Sequence, residues 1–317
     1  MFAVLDARLP WDRSAQNGFR CVRYDARGES GLQSPVSRPV RDYRAEKPVS
    51  DDVFRLYESL YAYDPADLDA RTEGVDEDNS YWKREEVSFA AGYGNERIFG
   101  YLYLPKHATP PYQTIVGASP SFAYQLPSPP TSVEDWTVSI VKSGRAFLIP
   151  VLKGHYQRRY ATPAAGPHEA RDRLILESKD FRRSIDYLVT RPDVDRDRLG
   201  VFSASLGVRV PLLAVGEQRL KAVVIINSGL SFSRLQLPEA DPLNFLPRLR
   251  VPTVVVGGRY DFVFPLETSM GPMFRLLGTP EKDKRLVLYD GGHVPPDNKI
   301  VIKETLDWLD RYLGPVK

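Results

Sequence analysis

Gly200-Val201-Phe202-Ser203-Ala204-Ser205-Leu206-Gly207 is the stretch on which the reading of this chain turns. It opens in a short apolar run, Leu199–Phe202, of the kind that forms a buried strand, and a helix-like segment begins at Leu206. A strand that runs straight into a serine and leaves as a helix needs a sharp turn. Such a turn lifts the serine hydroxyl clear of the sheet, provided the residues two positions either side are small. Here those neighbours are Ser203 and Gly207, so the pattern is S-x-S-x-G, one residue away from G-x-S-x-G. A pentapeptide of this kind also occurs as an ordinary turn, and its meaning depends on what accompanies it.

Working outward, Trp82–Phe89 and Arg97–Leu104 read as two strands joined by a Gly-Tyr-Gly-Asn turn, a hairpin. Further buried-strand runs lie at Thr114–Val116, Ala146–Leu152, Lys221–Asn227, Pro252–Val256 and Arg285–Tyr289. Helical segments fall between most of them. In 170–190, Leu174, Phe181, Ile185 and Leu188 share a face, and in 299–313 Ile302, Leu306, Leu309 and Leu313 do the same. Two antiparallel strands followed by β-α repeats predict an α/β fold: a mostly parallel sheet with an antiparallel N-terminal hairpin and helices on both faces.

A serine hydroxyl is a poor nucleophile at neutral pH and needs a base held by a third group. Candidates follow in order. Pro252–Val256 leads into Gly-Gly-Arg-Tyr-Asp261, and Arg285–Tyr289 leads into Asp-Gly-Gly-His293. Asp261 and His293 therefore each sit just past the C-terminal end of a predicted parallel strand, as Ser205 does. Those ends converge on one crevice in an open α/β sheet, so residues far apart in sequence can meet there. Taken singly, each has a plainer reading: Ser205 a buried turn serine, Asp261 a helix cap, His293 a loop histidine. The joint pattern points to a Ser-His-Asp arrangement, with Asp297 in reserve for the acid. His107, His155 and His168 lack such a setting.

Composition excludes several other classes. The chain has 317 residues, 42% hydrophobic and 26% charged, enough for a sizeable core. Its one cysteine, Cys21, rules out internal disulfides and multi-cysteine metal modules. Forty-three Lys+Arg against 41 Asp+Glu leave +2, and the short basic cluster at Arg158 and Arg159 makes no stripe for nucleic acid. No apolar run approaches the roughly 20 residues of a membrane span, and the expected location is cytoplasmic. There is no Gly-rich phosphate loop, no H-E-x-x-H and no His/Asp cluster, so neither a cofactor nor a metal is expected. The expected partner is a small-molecule ester.

From about residue 80 onward the sequence resembles an α/β-hydrolase of the dienelactone hydrolase, acetyl xylan esterase and prolyl-oligopeptidase-like group. The resemblance rests on FSASLG (202–207), GGRYDFVFP (257–265) and the GGH loop (291–293), with PVLKGHYQRR (150–159) resembling the segment after that group's fourth strand. More narrowly, residues 40–317 resemble the hydrolase module that some bacterial proteins carry C-terminal to a Ser/Thr protein kinase. DRSAQNGFRCVRY (12–24) resembles the end of a formylglycine-generating, sulfatase-modifying factor domain. The resemblance implies an α/β-hydrolase fold and a Ser-His-Asp carboxylesterase cleaving small to medium acyl chains. The alternative is a catalytically weak or inactive interaction module of a larger signalling protein.

An esterase also needs donors for the developing oxyanion. One is expected from the backbone N–H of Leu206. The second should come from the loop Gly117–Phe122, where Pro120 has no N–H and Ser121 or Phe122 remains. Phe122, Tyr124, Phe262 and Phe264 are candidate pocket residues, with ordinary packing the other reading. Residues 1–48 read as an N-terminal arm, 49–317 as the hydrolase domain, and 229–249 as a possible small lid.

Overall fold

The structure is a computed structural model that describes residues 41–129, 135–231 and 236–316. The 12–24 resemblance lies outside the described residues. Of the expected arm, only 41–48 falls within them, and of the expected lid all but 232–235.

Nine strands form one sheet: β1 (Arg71–Asp76), β2 (Trp82–Ala90), β3 (Arg97–Pro105), β4 (Tyr112–Ala118), β5 (Ala146–Val151), β6 (Val194–Ala204), β7 (Leu220–Ile226), β8 (Thr253–Gly258) and β9 (Lys284–Tyr289). Their spatial order is β1-β2-β3-β5-β4-β6-β7-β8-β9. The pairs β1/β2, β2/β3 and β3/β5 are antiparallel; every pair from β5 through β9 is parallel. The hairpin and the parallel sheet are therefore as the sequence predicts. β1 is an addition. Its sequence, RTEGVD, has one β-branched apolar residue and is mostly exposed, so it is held by its pairing with β2 rather than by a hydrophobic face.

The central strands are apolar throughout because both faces are covered. Along β7, Val223 and Ile225 join the core on one face while Val224 and Ile226 join that on the other. Helices α2 (Asp135–Lys142) and α5 (Asn298–Leu313) cover the second face through Ile140, Val141, Trp308 and Leu309. The first face carries α3 (Pro167–Thr190), through Phe181, Ile185 and Leu188. Helix α1 (Asp51–Ser59) starts on Ser50 as its cap and ends at Ser59. Tyr61 turns inward, fully buried against Phe245, and Pro65 disfavours helix at the residue before it.

Strand order reverses around β4: the chain moves from β4 to β5 on one side, then to β6 on the other. The loops after β4 and β6 thus flank a crevice at the C-terminal ends of the strands. The PVLKGHYQRR segment holds that end together. Arg158 pairs with Asp180 at 2.5 Å and Glu96 at 3.1 Å and donates to the Val151 carbonyl at 2.9 Å, and Lys153 reaches Glu96 at 2.7 Å. This part of the basic cluster is bound up in internal ion pairs.

Candidate active site

Ser205 follows the last residue of β6 and takes φ 60°, ψ −63°, a left-handed conformation that costs a non-glycine residue about 1–3 kcal/mol. Both flanking small residues have a physical reason. A Cβ on Gly207 would stand 2.5 Å from Ile225 Cγ2, so position 207 admits no side chain without displacement of Ile225. Ser203 is buried, and its hydroxyl donates to the Ala118 carbonyl at 2.9 Å, which satisfies the one polar group that distinguishes it from glycine. The segment after Ser205 begins as a single 3-10 turn, Leu206–Arg209, and continues only as a one-turn helix, α4 (Val210–Leu213), with Pro211 in its first turn.

Asp261 follows β8 and is 2% exposed. Its Oδ1 accepts from the backbone N–H groups of Val263 at 2.8 Å and Phe264 at 3.0 Å, which fixes the carboxyl plane. Its Oδ2 lies 2.9 Å from His293 Nδ1, and His293 Nε2 lies 3.3 Å from Ser205 Oγ. An ionised Asp261 accepts the Nδ1 proton, and that tautomer leaves Nε2 as an acceptor facing the serine hydroxyl. The three residues singled out in the sequence thus stand in hydrogen-bonding order. Asp297 is elsewhere, capping α5 through Lys299 N–H at 2.8 Å.

The histidine loop is held by residues that sequence reasoning missed. Asn227, just past β7 at φ 47°, donates from Nδ2 to the His293 carbonyl at 2.6 Å. The Tyr289 hydroxyl lies 2.7 Å from Asn227 Oδ1 and 2.9 Å from the Gly292 carbonyl oxygen. The only sequence signal was a polar residue closing an apolar strand run.

A cavity of about 430 Å³ opens beside Ser205. Of the expected site residues, Ser121, Leu206, Phe262 and Phe264 line it; Phe122 and Tyr124 do not. Leu206 and Ser121 each open a 3-10 turn, so neither N–H is used within its turn. Phe264 packs its ring 5.6 Å from that of His293. The wall also includes Arg41 and Tyr43, with Arg41 paired to Asp241 at 2.8 Å, so residues before α1 and within 236–246 close one side together.

Tyr124 lies under the wall instead. Its hydroxyl donates to Glu177 Oε2 at 2.8 Å, and Arg209 Nη1 bonds both that hydroxyl and, at 3.1 Å, Glu177. Burial pushes the Glu177 carboxyl up against the pull of Arg209. His155 is buried beside them, its Nε2 3.8 Å from Glu177, with no hydrogen-bond partner at either nitrogen. Burial, together with the nearby Arg209 and Arg158 charges, pulls its pKa down to about 3. Among the described residues, no three His, Cys, Asp or Glu side chains could hold a metal ion, and no helix is long and apolar enough to cross a membrane.

This sheet order, crevice and elbow define the α/β-hydrolase fold, and solved structures of that fold superpose on the chain. Acetyl xylan esterase 1 from a Thermoanaerobacterium species matches with a TM-score of 0.65 at 16% identity, over 83% of this chain and 94% of its own. An acetyl xylan esterase from a Paenibacillus species matches with 0.65 at 18%, over 85% and 97%. A glucuronoyl esterase from Solibacter usitatus matches with 0.54 at 16%, over 88% and 99%. No protein-family model matches the sequence. At these identities the likeness establishes the fold, and the reaction has to be argued from the site.

Proposed function

We propose that this chain is a serine hydrolase that cleaves carboxylic esters of small to medium acyl chain through an acyl-enzyme. Ser205 attacks the ester carbonyl while His293 takes its proton, and Asp261 holds the imidazole tautomer and stabilises the imidazolium. The N–H of Leu206, with Ser121 as the second donor ahead of Phe122, receives the oxyanion. His293 then protonates the leaving alkoxide, and water activated by the same imidazole releases the acid. The reading rests on one observation, the order Asp261 Oδ2 to His293 Nδ1 at 2.9 Å and His293 Nε2 to Ser205 Oγ at 3.3 Å. The likeness to structures described as esterases agrees with it. A nucleophile cavity of about 430 Å³ suits acyl groups of modest size.

The alternative, a binding module that has lost catalysis, draws on Ser203 at the elbow and Pro120 in the oxyanion loop. The Ser203 hydroxyl is satisfied without disturbing the turn, which removes one of its two supports. The place of this domain beside a kinase rests on sequence resemblance alone. A fluorophosphonate probe tests the enzymatic reading. Folded wild-type protein labels at Ser205 and hydrolyses p-nitrophenyl acetate, and Ser205→Ala does neither. Labelling elsewhere, or turnover retained in Ser205→Ala, rejects it.

A further inference from the structure

We propose that Arg209 is a specificity-determining residue of this site, and that the ester it selects carries a carboxylate on its acyl portion. The inference rests on the serine-hydrolase reading and adds the substrate class. Arg209 comes four residues after the nucleophile, in the 3-10 turn that the strained elbow starts, and lines the same cavity as Ser205.

The guanidinium is held from one side only. Nη1 takes both bonds, one to the Tyr124 hydroxyl and one to Glu177 Oε2 at 3.1 Å. Nε and Nη2 bond no other described residue, and about a quarter of the side chain, 24%, is exposed. Arg209 lines the nucleophile cavity and also a second one of about 270 Å³. The Nε–Nη2 edge is the fork on which two parallel N–H groups meet both oxygens of a carboxylate. A fork pre-oriented by Tyr124 and Glu177 loses little side-chain freedom on binding. The other charged pair on the wall, Arg41 and Asp241, is closed on itself at 2.8 Å and offers no rival anchor.

Position assigns the carboxylate to the acyl side. His293 has to protonate the leaving alkoxide, so the alcohol departs beside His293 and Phe264. Arg209 instead joins the nucleophile cavity to the second one, which neither of those residues lines. An acyl chain attached to Ser205 and extending away from His293 passes the open edge of Arg209.

The test compares monoethyl esters of succinate, glutarate and adipate with ethyl butyrate, valerate and hexanoate, followed by titration of released acid. Wild-type protein is expected to favour at least one anionic ester by about 10- to 100-fold in kcat/KM, the range that charge-assisted hydrogen bonds command. In Arg209→Met that ratio collapses toward one, and in Arg209→Lys, which keeps the charge without the fork, it falls between. Because Arg209→Met leaves Glu177 without its cation, the double variant Arg209→Met with Glu177→Gln is measured beside it, with folding checked by circular dichroism. No preference in wild type, or a ratio unchanged in both variants, overturns the proposal. Should no ester be hydrolysed, calorimetric titration with monoethyl glutarate separates the two readings. Binding that Arg209→Met abolishes keeps the carboxylate site while the esterase reading falls; no binding in wild type overturns the site too.

Discussion

Asn227 reaches across from the end of β7 and donates its amide to the backbone carbonyl of His293 at 2.6 Å. The His293 imidazole is thereby tied to the main sheet by a residue with no place in the proposed chemistry. Asn227→Ala removes this bond and one of the two acceptors within reach of the Tyr289 hydroxyl, and it leaves alanine in a left-handed conformation. The expected cost is about 2–3 kcal/mol in urea unfolding. Esterase kcat is expected to fall about 10-fold or more while KM changes little, since the base moves and the binding wall does not. An unchanged kcat would show that the loop holds its shape without this tie.

Gly258 gives the same loop its second restraint. A Cβ there would stand 2.1 Å from the Gly292 carbonyl oxygen and 2.5 Å from that of Gly291. Neither oxygen belongs to a flexible side chain, so the loop itself has to move. Gly258→Ala is expected to lower fluorophosphonate labelling at least 10-fold while far-ultraviolet circular dichroism stays native. Labelling at the wild-type rate would mean that the loop yields without displacing His293.

Ser203 carries a prediction of the opposite kind. Its hydroxyl bonds the Ala118 carbonyl at the end of β4, joining β6 to the strand before the Ser121 turn. Ser203→Gly recreates the commoner pattern yet loses a buried hydrogen bond and gains chain entropy when unfolded. It should therefore be less stable by about 1–2 kcal/mol, with labelling at Ser205 retained. A more stable variant would show that the hydroxyl is a burden on the fold.

These residues also mark how far the sequence could be read. Ser205, Asp261 and His293 were legible because each follows a short apolar run of strand length, and the ends of parallel strands gather on one edge. β1 was not, since Glu73, Gly74 and Asp76 have no strand preference and the element exists only through pairing with β2. Tyr124 was expected at the pocket because it follows β4 closely, but its hydroxyl found a partner below the wall in Glu177. Glu177 lies three residues after Leu174 and four before Phe181, on the stripe that reads as core. A carboxylate at such a position signals a buried polar cluster, and only the fold reveals that Arg209 completes it. Asn227 and Tyr289 each belong to a different strand end, and no spacing links them to His293.

His155 supplies a pH dependence with a definite sign. Buried without a hydrogen-bond partner, it has a folded-state pKa of about 3, whereas an exposed histidine titrates near 6.5. The groups around it are Arg209 and Arg158, which oppose a proton, and Glu177, whose own carboxyl burial pushes up. The unfolded chain therefore binds a proton between about pH 6.5 and 3 that the folded chain does not. Stability from this residue is full above about pH 6.5 and is lost as pH falls, by about 1.4 kcal/mol per unit. His155→Phe keeps an aromatic ring against Tyr124, whose centroid lies 4.5 Å away, and removes the titration. Urea unfolding at pH 8 and pH 5 should then show wild-type protein losing about 2 kcal/mol more than the variant. Equal losses in the two would mean that the buried imidazole is protonated through Glu177, and that the cluster beneath Arg209 carries a different charge from the one assigned to it.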